Sequence, residues 1–244
     1  MSGQVGVILQ PSYVPWRGYF DLVHRADVFV FYDDVQYDKH GWRNRNRIKT
    51  ANGVQWLTIP VSSKGNVTGG LRIADARITW TQDWAKKHAA TLRQSYARAP
   101  FFAQYVPMLE AFYAGRPERL ADFTIETTRA LAQALGITHT RFVRSSELGV
   151  SGDRTERLVR ILEAVSATHY ISGPSARAYL DEAVFAEAKI GLEYMVYDYP
   201  EYEQLHPPYD PGVSVLDLLF MKGPEAPEYI WGGKTARAAA GGPA

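Results

Sequence analysis

Apolar residues fall into two rhythms along the chain. Short unbroken runs alternate with stretches in which apolar positions recur every three or four residues. Residues 4–10, VGVILQ with its flanks, read as a short strand, and PSYVPWRG, with its prolines and glycine, reads as a loop. Residues 18–26 follow as a short helix with Phe20, Leu22 and Val23 apolar. Val28 to Tyr32 (VFVFY) is a continuous apolar run of strand length, suited to a strand covered on both faces. Strand, loop, helix, strand predicts a parallel unit with a right-handed crossover.

Residues 41–61 predict two strands around Ala51-Asn52-Gly53, since Asn-Gly is a strong turn signal. The loop SSKGNVTGG closes the second strand, and residues 71–79 look extended. From Trp84 the period becomes helical through WAKKHAATLRQSY, FFAQYVPMLEAFY and RLADFTIETTRALAQALG, with Gly136 as a stop. TRFV, HYISG and LEYMVYDY read as strands, separated by the helices DRTERLVRILEAV and SARAYLDEAVFAEAKIG. After Pro207 the pattern is irregular apart from the apolar piece VLDLLF. The expected fold is α/β: a mainly parallel sheet with flanking helices, a hairpin extension and a helical middle segment. Residues 1–232 are expected to form a single unit, with 84–135 as a helical insert or subdomain and 233–244 as a disordered tail.

Composition narrows the function classes. With 244 residues, 46% of them hydrophobic, the chain can bury a sizeable core. A net charge of +1 argues against wholesale coating of nucleic acid or anionic membrane, but leaves room for a local basic site. Cysteine is absent, which removes thiolate nucleophiles, disulfides and cysteine metal sites. No charged leader precedes a long apolar core, and no run of roughly 18 apolar residues occurs, so a cytoplasmic location without a membrane span is expected. The 15 Tyr and 6 Trp suit either a polar pocket with stacking surfaces or extra aromatic core.

Against this near-neutral background WRNRNRIK, residues 42–49, is a concentration of cations. Strand periodicity puts Arg43, Arg45, Arg47 and Lys49 on one face and Trp42, Asn44, Asn46 and Ile48 on the other. Like charges in a row call for an anion: a phosphate, a carboxylate or a nucleic-acid backbone. The bland reading is a solvated face or a set of internal ion pairs. Asn44 and Asn46 are poor strand formers, which suggests placement for hydrogen bonding.

Other candidates cluster at predicted strand ends. Gln10, Tyr13, Trp16, Arg17 and Tyr19 lie in and beside the first strand–helix loop, where open α/β sheets bind ligands. Asp33 and Asp34 follow the second strand and could bind a cation, take a proton or pair with arginines. Ser172, Gly173, Ser175 and Arg177 form a second strand–helix junction able to cradle a phosphate or simply to cap a helix. His206, in LHPPYDPG, is a candidate base or a buried histidine. Neither the Walker nor the GxGxxG pattern occurs, nor HExxH, nor GxSxG, so no metal is expected and no cofactor is identified.

Four segments together resemble the WbqC-like protein family of bacteria: ILQPSYVPWRGYFDLV, DVFVFYDDVQYDKHGWRNRNRIKTANGVQWLTIPV, SSELGVSGDRTERLVRILEAVSATHYISGPSARAYLD and HPPYDPGVSVLDLLFMKG. The resemblance spans roughly residues 5–225. It implies a place beside bacterial surface-polysaccharide genes, including O-antigen clusters, and a transferase, sometimes labelled a glycine transferase, that attaches an aminoacyl or acyl group to an amino sugar. A nucleotide-linked acceptor would be held by Arg43, Asn44, Arg45 and Lys49 with the two strand–helix loops. Asp33, Asp34 or His206 would deprotonate the amine. An aminoacyl-tRNA, an acyl thioester or an activated amino acid would be the donor. The opening segment is also similar to nucleotidyltransferases of the HIGH signature, although WRGYF stands where HxGH is expected. Two alternatives therefore remain: an ATP-using relative of those enzymes, or a non-catalytic module that binds a phosphorylated ligand.

Overall fold

The computed structural model describes residues 3–62, 70–81 and 83–232. In chain order the elements are β1 (Val5–Leu9), α1 (Arg17–Arg25), β2 (Val28–Phe31), β3 (Arg45–Thr50), β4 (Gly53–Thr58), α2 (Trp84–Tyr96), α3 (Phe102–Ala114), α4 (Leu120–Ala134), β5 (Arg141–Arg144), α5 (Arg154–Ala164), β6 (His169–Ser172), α6 (Glu182–Glu187), β7 (Gly191–Tyr194) and α7 (Val215–Lys222). Five strands form a parallel sheet in the order β5-β2-β1-β6-β7, and β3 and β4 form a separate antiparallel hairpin. This is the expected α/β fold.

The unbroken apolar runs arise because both faces of the sheet are covered. Val7, Phe29 and Phe31 turn to the face packed by α1, the helical middle and α7. Ile8, Val28 and Val30 turn to the opposite face, where Leu158, Ile161, Leu162 and Phe185 of α5 and α6 meet them. A two-residue period with apolar groups on both sides leaves no polar alternation to see. Sheet and helix approach most closely at Gly6, where a Cβ would sit 2.6 Å from Leu162 Cδ2 and 2.8 Å from Ala167 Cβ.

Several local expectations are corrected. Residues 71–79 form no strand; a 3-10 turn at Ile73–Asp75 is flanked by isolated bridges such as Gln36 with Arg72 and Val61 with Ile78. The single helix expected after HYISG is divided into a 3-10 turn, Pro174–Ala178, and the short α6, whose cap is Asp181 accepting from the Ala183 amide at 3.0 Å. Strand β7 stops at Tyr194; beyond the Met195 amide, which donates to the Ser172 carbonyl at 2.8 Å, Tyr199 and Tyr202 turn inward to bond Asp21 and Asp217. The apolar piece VLDLLF is helix α7, capped by Ser214. The tail at 233–244 and most of the loop SSKGNVTGG lie outside the described residues.

The helical middle reaches the sheet through Tyr13. This residue is fully buried, its hydroxyl 2.7 Å from that of Tyr113 and 3.0 Å from His88 Nδ1. Burial lowers the His88 pKa to about 4, against a smaller upward pull from the Thr58 backbone.

Two outcomes follow from this packing. Gly6→Ala overpacks the β1–α5 contact and is expected to cost about 1–3 kcal/mol, read by urea denaturation. His88 is neutral in the folded chain, so its contribution is complete above the unfolded histidine value near 6.5 and is lost as pH falls toward about 4. The loss should approach about 3 kcal/mol, and the stability difference between pH 7 and pH 4.5 should shrink in His88→Gln.

Candidate functional site

The sheet order makes β1 and β6 neighbours whose onward connections leave in opposite directions: β1 leads to β2 on one side and β6 to β7 on the other. Doubly wound sheets bind ligands at such a switch point, outside the carboxyl ends of the strands. The loop after β1 and the junction after β6 both lie there.

The loop after β1 holds an unusual backbone. Val14, β-branched and fully buried, has φ +36°, a conformation that such residues rarely adopt. Its carbonyl accepts from Asn46 Nδ2 at 2.9 Å and from Ser214 Oγ at 2.7 Å, and the same Asn46 amide donates to the Tyr13 carbonyl at 3.0 Å. The Val215 amide donates to the Pro15 carbonyl at 2.9 Å. The loop is thus clamped between β3 and the start of α7. Outliers of this kind cost about 1–3 kcal/mol and concentrate at functional sites.

Beside the clamp lies Arg43. Its Nη1 donates to Gln10 Oε1 at 2.6 Å, and the Tyr19 hydroxyl donates to the Gln10 carbonyl at 3.3 Å. Among the described residues no carboxylate lies within 4.0 Å of the Arg43 guanidinium. Burial pushes its pKa down, opposed by Tyr19 and by the more distant Asp38, and burial pushes the Tyr19 phenol well up. A desolvated guanidinium with no carboxylate in ion-pair contact is a ready seat for an anion. Trp16, at the mouth of α1, meets the Tyr197 ring edge-on at 5.0 Å, and Gly173 lies beneath the Tyr197 hydroxyl. These rings join the two loops across the switch point.

The rest of the basic row divides. Asn44 and Asn46 face inward, Asn44 Nδ2 donating to the Ile59 carbonyl at 2.8 Å. Arg45 and Arg47 face outward. Lys49 is on their side of the pleat but is roofed by the 204–212 loop and donates to the Pro208 carbonyl. The strand begins only at Arg45, so Trp42 does not keep the strand period. Its ring turns to the arginine side and lies 5.2 Å from Trp56, the reverse of the face expected for it.

Asp33 and Asp34 meet a different set of partners. Asp33 is fully buried and accepts from Arg144 Nε at 2.7 Å, from the Ser146 amide and hydroxyl at 3.0 Å each, and from Ser145 Oγ at 3.3 Å. Asp34 accepts from Ser145 Oγ at 2.6 Å and from Arg157. Together they tie the end of β2 to the end of β5. His206 lies elsewhere, buried, its Nε2 2.9 Å from the Ser95 carbonyl. Among the described residues no hydrogen bond joins it to either aspartate. Ser172 is buried with its hydroxyl on Tyr170 at 3.3 Å, whereas Ser175 and Arg177 are exposed on the 3-10 turn, Arg177 lying 4.6 Å over the Tyr194 ring.

Two further groups are buried: Arg17, a candidate of the first strand–helix loop, and Asp217, which escaped the sequence reading. Arg17 is almost wholly enclosed, donating to the carbonyls of Pro200 and Tyr229 and to the Tyr209 hydroxyl, with its guanidinium 4.8 Å from the Tyr199 ring. Asp217 accepts from Tyr96 and Tyr202 at 2.8 Å each, and burial raises its pKa against those donors and Lys49. A lone carboxylate in the apolar run VLDLLF was the available signal for it.

A separate hollow of about 1010 Å³ opens at the amino ends of β1 and β6, lined in part by His24, His139, His169, Glu193 and Trp231. Its charges already satisfy one another: Glu193 pairs with Arg25 at 2.5 Å and with His169 at 3.3 Å, and His139 Nε2 lies 2.7 Å from the His24 carbonyl. The hollow is roomy, but the cation without an ion-pair partner and the strained loop are both at the carboxyl edge. Among the described residues no helix is long and apolar enough to cross a membrane, and no group of three or more His, Cys, Asp or Glu could hold a metal ion.

A family model described as the WbqC-like protein family matches residues 10–229. An uncharacterized protein of Mycobacterium tuberculosis, Rv1507c, is 44% identical over 225 residues, covering 91% of this chain and 96% of that protein. No solved structure matches the chain.

Asn46→Ala removes the donor shared by two buried carbonyls. It is expected to cost about 1–3 kcal/mol in urea denaturation, with Asn46→Asp no better because a carboxylate cannot donate.

Proposed function

The chain belongs to the WbqC-like protein family, and from that premise we propose that it is a transferase attaching an aminoacyl, in particular glycyl, or acyl group to a nucleotide-linked amino sugar. The setting is bacterial surface-polysaccharide biosynthesis, O-antigen included, or a related pathway, with the enzyme in the cytoplasm. The observation that carries the reading is Arg43. A guanidinium held by Gln10, without a carboxylate within reach among the described residues, lies next to a strained loop at the switch point of a doubly wound sheet. A diphosphate supplies the missing charge there, and Trp16 with Tyr197 offers an aromatic wall for a base or sugar ring.

Acyl transfer to an amine needs a group that accepts the ammonium proton as the C–N bond forms. Asp34 is our candidate. It is at the same sheet edge, and its side chain keeps 12% of its exposure, whereas Asp33 has none. We read Asp33 as the group that positions Ser145 and Arg144 beside it, and His206 as a strut to α2. A second reading, a non-catalytic module for a phosphorylated ligand, is favoured by the engagement of every candidate carboxylate in hydrogen bonds.

Thermal-shift measurements with nucleotide-sugars, ATP, amino acids and acyl thioesters test the site. Nucleotide-sugars are expected to stabilise the protein, and Arg43→Ala to weaken that binding about 10- to 100-fold, the worth of a charge-assisted hydrogen bond of about 1.5–3 kcal/mol. Wild-type affinity in Arg43→Ala would remove Arg43 from the site. Binding without any mass gain on an amino-sugar acceptor, whatever the donor, would select the module over the transferase.

A further inference from the structure

We propose that the outer face of the β3–β4 hairpin is a stacking platform for single-stranded RNA, and that it seats the RNA end of an aminoacylated donor. The second clause rests on the transferase reading; the platform itself does not.

The hairpin has two unlike faces. One, carrying Asn46, Ile48 and Leu57, is buried against the core. The other carries Arg47 directly opposite Trp56, with Arg45 two residues along. Trp42 joins this side and lies 5.2 Å from Trp56 at a 35° tilt. The Arg45 guanidinium lies 4.5 Å from the Trp56 centroid and that of Arg47 5.7 Å from the Trp42 centroid. The result is a pair of neighbouring indoles flanked by a guanidinium on either side. Trp42 remains 43% exposed and Trp56 42% exposed, the same as Val54 beside the hairpin tip.

Indoles are the costliest side chains to leave in water, and cations beside them discourage burial against an ordinary apolar partner. Arg45 has no carboxylate within 4.0 Å among the described residues, and Arg47 has Asp210 at 3.6 Å. The face therefore asks for a partner that is planar, polarisable and anionic at once. Unpaired bases with their phosphates meet all three requirements: bases stack on indole and guanidinium planes, and phosphates take the remaining guanidinium hydrogens. A neutral glycan brings no charge, an acidic peptide brings no ring at each charge, and a duplex hides its base faces. The net charge of +1 confines the attraction to this patch and to short strands.

The test is fluorescence anisotropy of a labelled single-stranded RNA of about a dozen nucleotides at low salt, the span of a single-strand groove. Binding should quench indole emission and weaken steeply with salt. Trp42→Ala and Trp56→Ala should each lower affinity about 10-fold, with Trp→Phe retaining most of it. Arg45→Ala, which also removes the hydrogen bond to the His40 carbonyl, should flatten the salt slope by about one contact, with urea denaturation checking that the fold is kept. The proposal is overturned by no anisotropy change up to about 100 µM RNA, the weak end of non-specific binding. Equal affinity for a duplex or a sulfated glycan overturns it as well, as does affinity untouched in the Trp42→Ala, Trp56→Ala double variant. Nucleotide-sugar stabilisation is measured on the same variants. Stabilisation should persist in them. In the unsubstituted chain, nucleotide-sugar stabilisation without RNA binding counts against the platform alone, and RNA binding without nucleotide-sugar stabilisation against the transferase reading alone.

Discussion

The carboxyl edge of the sheet depends on one side-chain amide. Asn46 Nδ2 reaches from β3 to two successive carbonyls, those of Tyr13 and Val14, and holds a β-branched residue in left-handed backbone. Two isolated carbonyls buried in apolar surroundings would each be costly, and the left-handed turn adds its own strain. An amide meets both carbonyls with one pair of hydrogens, which no hydroxyl or carboxylate can do. Ser214 secures the same turn from the far end of the chain. Three segments remote in sequence, the loop after β1, the basic strand and the start of α7, therefore close on a single point. Gln10, Trp16 and Arg43 inherit their positions from it.

The cations of the interior follow a common rule. Arg17, Arg47 and Lys49 end on backbone carbonyls, those of Pro200 and Tyr229, of Gly212, and of Pro208. Carbonyl dipoles satisfy these donors and fasten the 200–212 segment, and Arg47 has in addition the Asp210 carboxylate at 3.6 Å. The aspartates at the other end of the same edge do the opposite, each closing on an arginine and a serine. The local field across the sheet edge thus runs from a neutralised end at β5 to an uncancelled positive end at the hairpin. The ligand charge inferred from the arginine row follows from this asymmetry, not from the number of arginines.

The legible and illegible parts of the fold separate along physical lines. VFVFY announced a strand covered on both sides, Asn52-Gly53 announced the hairpin, and the periodic stretches from Trp84 to Gly136 announced helices, because each signal is local. The break at residues 179–181, between the 3-10 turn and α6, was hidden by helix-favouring residues on both sides of it. Trp42 was assigned to the wrong face because the strand period was extended past the strand's first residue, Arg45. The partners of Asp33 lie 111 to 113 residues away, and no local pattern brings Arg144 and Ser146 to it. At the site, the interleaved asparagines correctly pointed to hydrogen bonding. Their targets were the protein's own carbonyls.

The pleat of β3 has one more consequence, for how this segment can vary through descent. Its inward asparagines hold the loop after β1, whereas Arg47 and Lys49 on the other side fasten the 204–212 loop, so the two series answer to different neighbours. Inserting or deleting one residue between Trp42 and Lys49 would exchange the two series, placing guanidiniums against the Tyr13 and Val14 carbonyls and amides in water. The segment is therefore rigid in count, and diverging relatives should differ here by substitution and almost never by a gap.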